Sequence, residues 1–202
     1  MKRALQASKH VVLAIAFLCL ALAFGWWQVD GPGSQKKPSL GFSLAKSEFE
    51  LRDHNGNRVN ENSLKGRASL VFFGFTFCPD ICPTTLADIS NWLNTLNATP
   101  DQLNAIFITV DPERDTSSVM RDYVISFHPS IQGWTGTPAQ IANVATIFGV
   151  KYEKQILADG DYIMNHSAGV YLFDETGKLS GIIDIHEDKS VAIAKIERVI
   201  SN

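Results

Sequence analysis

Short apolar runs alternate with amphipathic stretches along the chain. A continuous apolar run at residues 70–75 predicts a buried strand of a central sheet, and residues 105–110 predict a second buried strand. The amphipathic stretches have apolar residues at the three- and four-residue spacing of helices, with a cap signal at Thr137-Pro138. Helices are predicted over residues 83–96, 116–127, 138–148 and 189–200. Turn sequences between strand-like segments predict two β-hairpins, one pairing 49–53 with 58–59 and one pairing 169–173 with 181–185.

The order of these elements predicts the fold class. A β-hairpin is followed by β-α-β-α-α-β-β-α, an alternation typical of α/β proteins. We therefore predict a thioredoxin-like fold, in which a mixed central sheet is flanked by helices and extended by the N-terminal hairpin. The domain is expected to span residues 41–202.

The N-terminal residues are predicted to anchor the domain to a membrane. Positive side chains in the first ten residues precede an uncharged apolar run over residues 11–27. By the positive-inside rule, residues 1–10 are cytoplasmic, and a single span at 11–27 places the domain in the periplasm or an equivalent exported compartment. Residues 28–40, rich in Gly, Pro and polar side chains, are predicted to be a flexible linker. A cleaved signal peptide with a site near Ala21 and Ala23 is the alternative, and it also exports the domain.

The charge of the domain excludes one class of partner. Residues 38–202 carry 13 Lys and Arg against 20 Asp and Glu, a net charge near −7. Nucleic-acid binding needs a basic surface, so no nucleic-acid partner is expected. In an exported, oxidising compartment, two nearby cysteines form a disulfide by default unless a reductant or a metal intervenes.

Cys78 and Cys82 are the only cysteines outside the N-terminal apolar run, and they are separated by three residues. They lie between the first core strand and its helix, and Pro83 predicts that the helix begins at or just after Cys82. The positive end of a helix favours thiolate over thiol at both positions. A small stapling disulfide, a redox couple and a metal site all remain consistent with this pattern.

Five histidines are candidates for a third metal ligand beside the cysteines. His166 is the most suggestive, because it lies directly before the predicted strand at 169–173; a hydrogen-bonded loop histidine is the alternative. Asp111 and Asp115 follow the second core strand, where they are expected to face the cysteines. Asp80 lies between the cysteines in sequence.

The candidates for groups that surround the metal ligands are three carboxylates, Asp80, Asp111 and Asp115. The alternative for the acidic motif at residues 111–116 is structural. In that case Asp115 or Thr116 caps the following helix, and Arg114 pairs with a carboxylate.

Three motifs together resemble the Sco/SenC family of membrane-anchored copper chaperones. They are Phe75-Thr-Phe-Cys-Pro-Asp-Ile-Cys-Pro83, Asp111-Pro-Glu-Arg-Asp-Thr116, and His166-Ser followed by Tyr171-Leu. The resemblance implies a thioredoxin-like fold and copper ligation by Cys78, Cys82 and His166. It further implies delivery of copper to the dinuclear copper centre of cytochrome c oxidase. The expected partners are the copper-bearing oxidase subunit and other periplasmic copper chaperones or thiol reductants.

The donor chemistry agrees with copper. Two soft thiolates and an imidazole suit Cu(I), and they hold Cu(II) when another ligand joins, whereas a closed zinc site usually needs four protein ligands. A binding protein rather than an enzyme is therefore expected. The alternative function is a thiol–disulfide reductase that uses Cys78 and Cys82 as a redox pair to keep the oxidase subunit's cysteines reduced. A peroxidase is a weaker third interpretation of the Phe-Thr-Phe-Cys-Pro run.

Overall fold

The computed structural model describes residues 15–22, 24, 43–44 and 47–201 of the 202-residue chain. The chain divides into two units, Met1–Ser39 and Leu40–Asn202. In the first unit residues 15–22 are helical. Within the described ranges, no helix combines the length and the apolar character that a membrane span requires. The predicted anchor at 11–27 is described only in part, and the predicted cytoplasmic segment and linker lie outside the described residues.

The second unit alternates strands and helices for most of its length. Its strands are β1 (Glu50–Asp53), β2 (Arg58–Asn60), β3 (Ala68–Gly74), β4 (Leu103–Thr109), β5 (Ile131–Thr135), β6 (Tyr152–Ile156), β7 (Tyr162–His166), β8 (Val170–Phe173) and β9 (Leu179–Ile183). Its helices are α1 (Ile81–Leu96), α2 (Ser117–Ile125), α3 (Pro138–Phe148) and α4 (Lys189–Ile200). A short 3₁₀ turn covers Glu61–Leu64.

Seven strands form one mixed sheet in the order β2-β1-β5-β4-β3-β8-β9. The central strands β3, β4 and β5 are parallel, with Phe72 opposite Phe107, whereas β8 runs antiparallel to β3. Every residue of β3 and β4 is buried, as their sequences predicted. Phe72 and Phe107 stack with ring centroids 5.8 Å apart in the core. The sheet therefore places the end of β3 at the centre of the domain.

Local sequence signals set the helix ends. Thr137 caps α3 in a reciprocal capping box with Gln140, Pro138 is the first helical residue, and Gly149 ends the helix at φ 69°. Thr116 accepts a hydrogen bond from the N–H of Val119 at the start of α2. These caps confirm the predicted starts of α2 and α3 to within a residue.

Two secondary-structure features of the domain were not predicted from the sequence. Strand β5 was not predicted, because Ile131-Gln-Gly-Trp-Thr135 is short and its Gly133 weakens the strand signal. The hairpin β6–β7 was also missed, because β6 is largely exposed and lacks an apolar alternation. Both matter for the site, since β5 joins the N-terminal hairpin to the sheet and β7 carries His166.

The predicted start of α1 was also incorrect. The helix begins at Ile81, so Cys82 lies within its first turn rather than on the preceding loop. Pro83 is then the third helical residue, and its missing N–H falls among the first four, which have no acceptor inside a helix. The position of Cys82 in a regular turn fixes the direction of its side chain.

Candidate metal centre

The two cysteines lie where β3 passes into α1. Cys82 is fully buried and Cys78 is half-buried, and both are free thiols in the structure. The backbone N–H of Cys82 donates to Sγ of Cys78 over 3.4 Å. Cys78 is therefore the more accessible sulfur, while Cys82 faces the core.

Close packing at the end of β3 brings Cys82 next to the sheet. A Cβ atom at Gly74 would lie 2.7 Å from Sγ of Cys82 and 2.7 Å from Cε2 of Phe107. Only a residue without a side chain permits this approach of helix and strand. The glycine within an apolar strand sequence was the signal that could have identified this contact.

His166 lies against the buried cysteine. Its Nε2 is 3.6 Å from Sγ of Cys82, and its Nδ1 is 3.0 Å from the carbonyl oxygen of Ser167. A carbonyl oxygen only accepts, so Nδ1 carries the proton and the Nε2 lone pair points at Cys82. The rings of Phe72 and Phe75 meet the imidazole edge-on, with centroids 6.5 and 5.9 Å away. His166 is the last residue of β7 rather than a loop residue, and the hydrogen bond that its alternative named is present, to Ser167.

Burial favours the neutral forms of both groups. It lowers the pKa of His166 and raises the pKa of the Cys82 thiol. The prediction that the helix end favours a thiolate was therefore wrong for Cys82, because the loss of solvation on burial is the largest influence on its pKa and raises it. A soft metal cation removes this penalty, since it replaces the thiol proton and neutralises the thiolate. A thiolate at Cys82 without a nearby cation is therefore disfavoured, whereas a thiolate bound to a metal cation is stable there.

Asp115 supports the loop that leads to Cys78. It accepts hydrogen bonds from the backbone N–H of Thr76 at 3.0 Å, from its hydroxyl at 2.5 Å and from the hydroxyl of Thr109 at 2.6 Å. Burial raises the pKa of Asp115, although these bonds oppose the shift. Thr109 was not singled out from the sequence, and Thr76 was considered only as part of the Phe-Thr-Phe-Cys-Pro run.

The other two carboxylates play different parts. Asp111 is buried and binds Arg114 and the hydroxyl of Tyr162, so the ion pair named as the structural alternative is present. Thr116, not Asp115, caps the next helix. Asp80 is exposed at the N-cap position of α1, where its side chain makes no capping hydrogen bond.

The three proposed ligands are near one another but are not assembled. Among the residues that the structure describes, no three His, Cys, Asp or Glu side chains already converge as a metal-binding group. Cys82 and His166 are in contact, and Sγ of Cys78 lies at the N–H of Cys82. A site with three donors would therefore join these two contacts around Cys82.

Tyr123 is a further residue that the sequence pattern did not single out. Its ring contacts Phe107 and Phe127, and its hydroxyl is buried without a hydrogen-bond partner among the described residues. Burial raises its pKa, and the nearby Cys82 and Cys78 add to the effect. The hydroxyl is therefore an unsatisfied donor near the two thiols.

Comparison with known proteins agrees with the fold and the motifs. The family model described as SCO1/SenC matches residues 38–201. A SCO2-like protein of Rickettsia typhi is 37% identical over 180 residues, which cover 88% of this chain and 87% of that protein. The mitochondrial protein SCO1 of Saccharomyces cerevisiae is 37% identical over 163 residues, which are 79% of this chain and 54% of the yeast protein.

Two solved structures of Sco proteins are similar to the domain. ScoI of Bradyrhizobium japonicum with copper bound has a TM-score of 0.71 and 42% identity, and the match covers 78% of this chain and 99% of that one. Yeast Sco1 with copper bound has a TM-score of 0.71 and 34% identity, over 82% of this chain and 90% of the other. The fold is thus a thioredoxin-like α/β fold with a mixed sheet. The chain belongs to the SCO1/SenC family.

Proposed function

We propose that the protein is a copper metallochaperone that binds one copper ion through Cys78, Cys82 and His166. The contact of 3.6 Å between Sγ of Cys82 and Nε2 of His166 carries the proposal. This contact places a soft sulfur donor beside an imidazole lone pair in a partly buried site, and copper favours both donors. The copper-bound structures of two relatives support the choice of metal.

The unequal exposure of the three donors defines how the ion enters and leaves. Cys82 is fully buried, whereas Cys78 and His166 are each half-buried and lie nearer to solvent. Copper would first bind Cys78 and His166 and then Cys82; each thiol would release its proton to solvent as copper replaces it, and each would regain a proton on copper release. A disulfide between the cysteines blocks thiolate ligation, so only the reduced pair accepts copper.

Copper retention by the reduced protein tests this function. The full chain in detergent is expected to keep one copper per molecule through desalting. His166→Ala should lower the retained copper at least tenfold and leave the circular dichroism spectrum unchanged. His186→Ala is the matched control, because His186 is an exposed histidine outside the site. The proposal is refuted if the reduced wild-type chain retains no copper.

Delivery is proposed to end at the dinuclear copper centre of cytochrome c oxidase. The partners are the copper-bearing oxidase subunit and the periplasmic copper donors or thiol reductants that load the site. We assign the apolar run at residues 11–27 as the anchor that keeps the domain at the outer face of the inner membrane. When the copper-loaded protein is mixed with the metal-free copper-bearing domain of the oxidase subunit, copper should move to that domain. This transfer should fail with the Cys78→Ser variant. A reporter fused to the C-terminus tests its export.

Thiol–disulfide exchange is the second candidate function. The accessible Cys78 followed by the buried Cys82 at the start of a helix is the arrangement of an attacking and a resolving thiol. Against this function, the raised pKa of Cys82 and its contact with His166 favour a metal. The reduction potential of the pair separates the two functions. A value far below that of the available exported reductants excludes redox cycling.

A further inference from the structure

One arginine connects the segments that carry the proposed ligands. The guanidinium carbon of Arg114 lies 3.7 Å from the ring centroid of Tyr162 and 4.6 Å from that of Phe77. Its Nε donates to Asp111 at 2.5 Å, and its Nη1 donates to the carbonyl oxygen of Tyr162 at 3.1 Å. Nη1 also lies 3.4 Å from Oδ1 of Asp161. We call Arg114, Phe77, Tyr162 and Asp111 the arginine cluster.

The members of the arginine cluster belong to three separate parts of the chain. Phe77 directly precedes Cys78, and Tyr162 opens strand β7, whose last residue is His166. Asp111 lies between β4 and α2, and it also accepts a hydrogen bond of 2.9 Å from the hydroxyl of Tyr162. The cluster thus ties the Cys78 loop and the His166 strand to a common buried carboxylate.

The β6–β7 hairpin packs against the core through the buried Met164 and the partly buried Tyr152 and Ile163, and polar contacts add to this packing. Its two strands form a sheet of their own, and the seven-stranded sheet that the described residues form does not include them. Every residue of β6 after Tyr152 is exposed. Lys154 also connects the hairpin to the domain, because its Nζ pairs with Glu113 at 2.6 Å and lies 4.2 Å from the centroid of the Tyr162 ring. Lys154 does not reach Phe77 or Asp111.

We propose that Arg114 is a positioning residue that sets the separation of Cys78 and His166 in the copper site. The proposal rests on the proposed copper-binding function. The planar guanidinium group of arginine can contact two aromatic rings while the N–H groups at its edge donate hydrogen bonds. The compact ammonium group of lysine cannot do both at once. Arg114 thereby holds the His166 strand against the domain and the Cys78 loop beside it. Its role needs the shape of the side chain as well as its charge.

Variants at the arginine cluster test the proposal in the reduced full chain. Arg114→Ala removes the whole connection, and Arg114→Lys keeps the charge while losing the plane. Phe77→Leu removes one ring at an exposed position, where Phe77 is 61% exposed and folding is not at risk. Lys154→Ala is the matched control, because it removes a cation from the same tyrosine ring without touching the Cys78 loop.

Two measurements are needed. The first is Cu(I) affinity by competition with the chromogenic chelator bicinchoninate. The second, which needs no metal, is hydrogen exchange of the β7 amides. Arg114→Ala and Arg114→Lys should each weaken Cu(I) binding at least tenfold and speed β7 exchange at least tenfold. Phe77→Leu should weaken binding at least threefold with β7 exchange unchanged. Lys154→Ala, which removes a partly exposed ion pair of the hairpin, should keep Cu(I) binding within twofold of wild type and should speed β7 exchange by less than Arg114→Ala does.

Several results would overturn the proposal. Wild-type affinity and wild-type β7 exchange in Arg114→Ala would show that Arg114 positions nothing. Wild-type behaviour of Arg114→Lys would show that charge alone suffices. Equal losses in Lys154→Ala would reduce the effect to the general loss of a cation. If the wild-type chain binds no copper, the proposed function fails, but hydrogen exchange still decides whether Arg114 holds the hairpin.

Discussion

Replacing Gly74 by alanine is expected to destabilise the domain and to disturb the candidate metal centre. The new Cβ would lie 2.7 Å from Sγ of Cys82, 2.7 Å from Cε2 of Phe107 and 3.2 Å from its Cζ. Ordinary van der Waals contacts to a Cβ begin at 3.4 Å, which is 0.7 Å further out than 2.7 Å, so strand and helix must separate. Both neighbours are fully buried, where protein interiors are close-packed.

The expected cost follows from the effect of overpacking a core. One added methyl group without space costs about 1–3 kcal/mol of the free energy of unfolding. For a domain of this size, that lowers Tm by about 2–12 °C. The displacement also moves Sγ of Cys82 relative to Nε2 of His166, now 3.6 Å away, so copper retention should fall as well.

The assay is urea unfolding of the reduced protein, followed by circular dichroism, for Gly74→Ala and Gly181→Ala. Gly181 lies in β9, where a new Cβ meets nothing within 4 Å, and it has no positive φ. Gly181→Ala should therefore be neutral or slightly stabilising, by about 0.4–1 kcal/mol. Equal stability of Gly74→Ala and wild type, or equal losses at both glycines, would refute the packing argument.

Three further predictions concern buried polar groups. Burial lowers the pKa of His54 from 6.5, and its Nδ1 accepts from the N–H of Gly133, so the folded state favours the neutral ring. The stability that this preference provides is present above pH 6.5 and is lost as pH falls through the lowered pKa. His54→Asn should therefore reduce the loss of stability between pH 7.5 and 5.5, and an unchanged slope in urea unfolding would contradict this. Asp115→Ala should lower the free energy of unfolding by about 3 kcal/mol, because it leaves three donor groups without their acceptor; a loss below 1 kcal/mol would show that water replaces the carboxylate. Tyr123→Phe removes a buried hydroxyl that has no partner among the described residues, and it should raise the free energy of unfolding by about 1 kcal/mol, so a lower Tm would reveal a partner for that group.

The balance between burial and the helix dipole decides the character of Cys82. The N-terminal turn of α1 offers unpaired N–H groups, which stabilise an anion. Cys82 nevertheless lies under the sheet with no exposed surface, and burial raises its pKa. A thiol that ionises only when a cation arrives suits metal binding better than rapid exchange with disulfides. The burial of Cys82 thus favours metal binding, and the reduction potential of the pair is the measurement that separates the two candidate functions.

The sequence by itself determined the elements whose signals are local. Apolar runs identified β3 and β4, and a threonine cap with Pro138 identified α3 to the residue. The three motifs identified the family, which the comparisons confirmed. Apolar runs, helix caps and ligand spacings each involve only a few neighbouring residues, so they can be recognised in the sequence alone.

Tertiary structure decided everything that depends on contacts between distant residues. Strand β5 and hairpin β6–β7 are weak in sequence and are held by their neighbours, so no local pattern predicted them. His166 reaches Cys82 across 84 positions only because β7 lies over the end of β3. The buried thiol, the arginine cluster and the close approach at Gly74 likewise arise from packing. Their energies depend on desolvation and shape, which exist only once the sheet and its helices have come together.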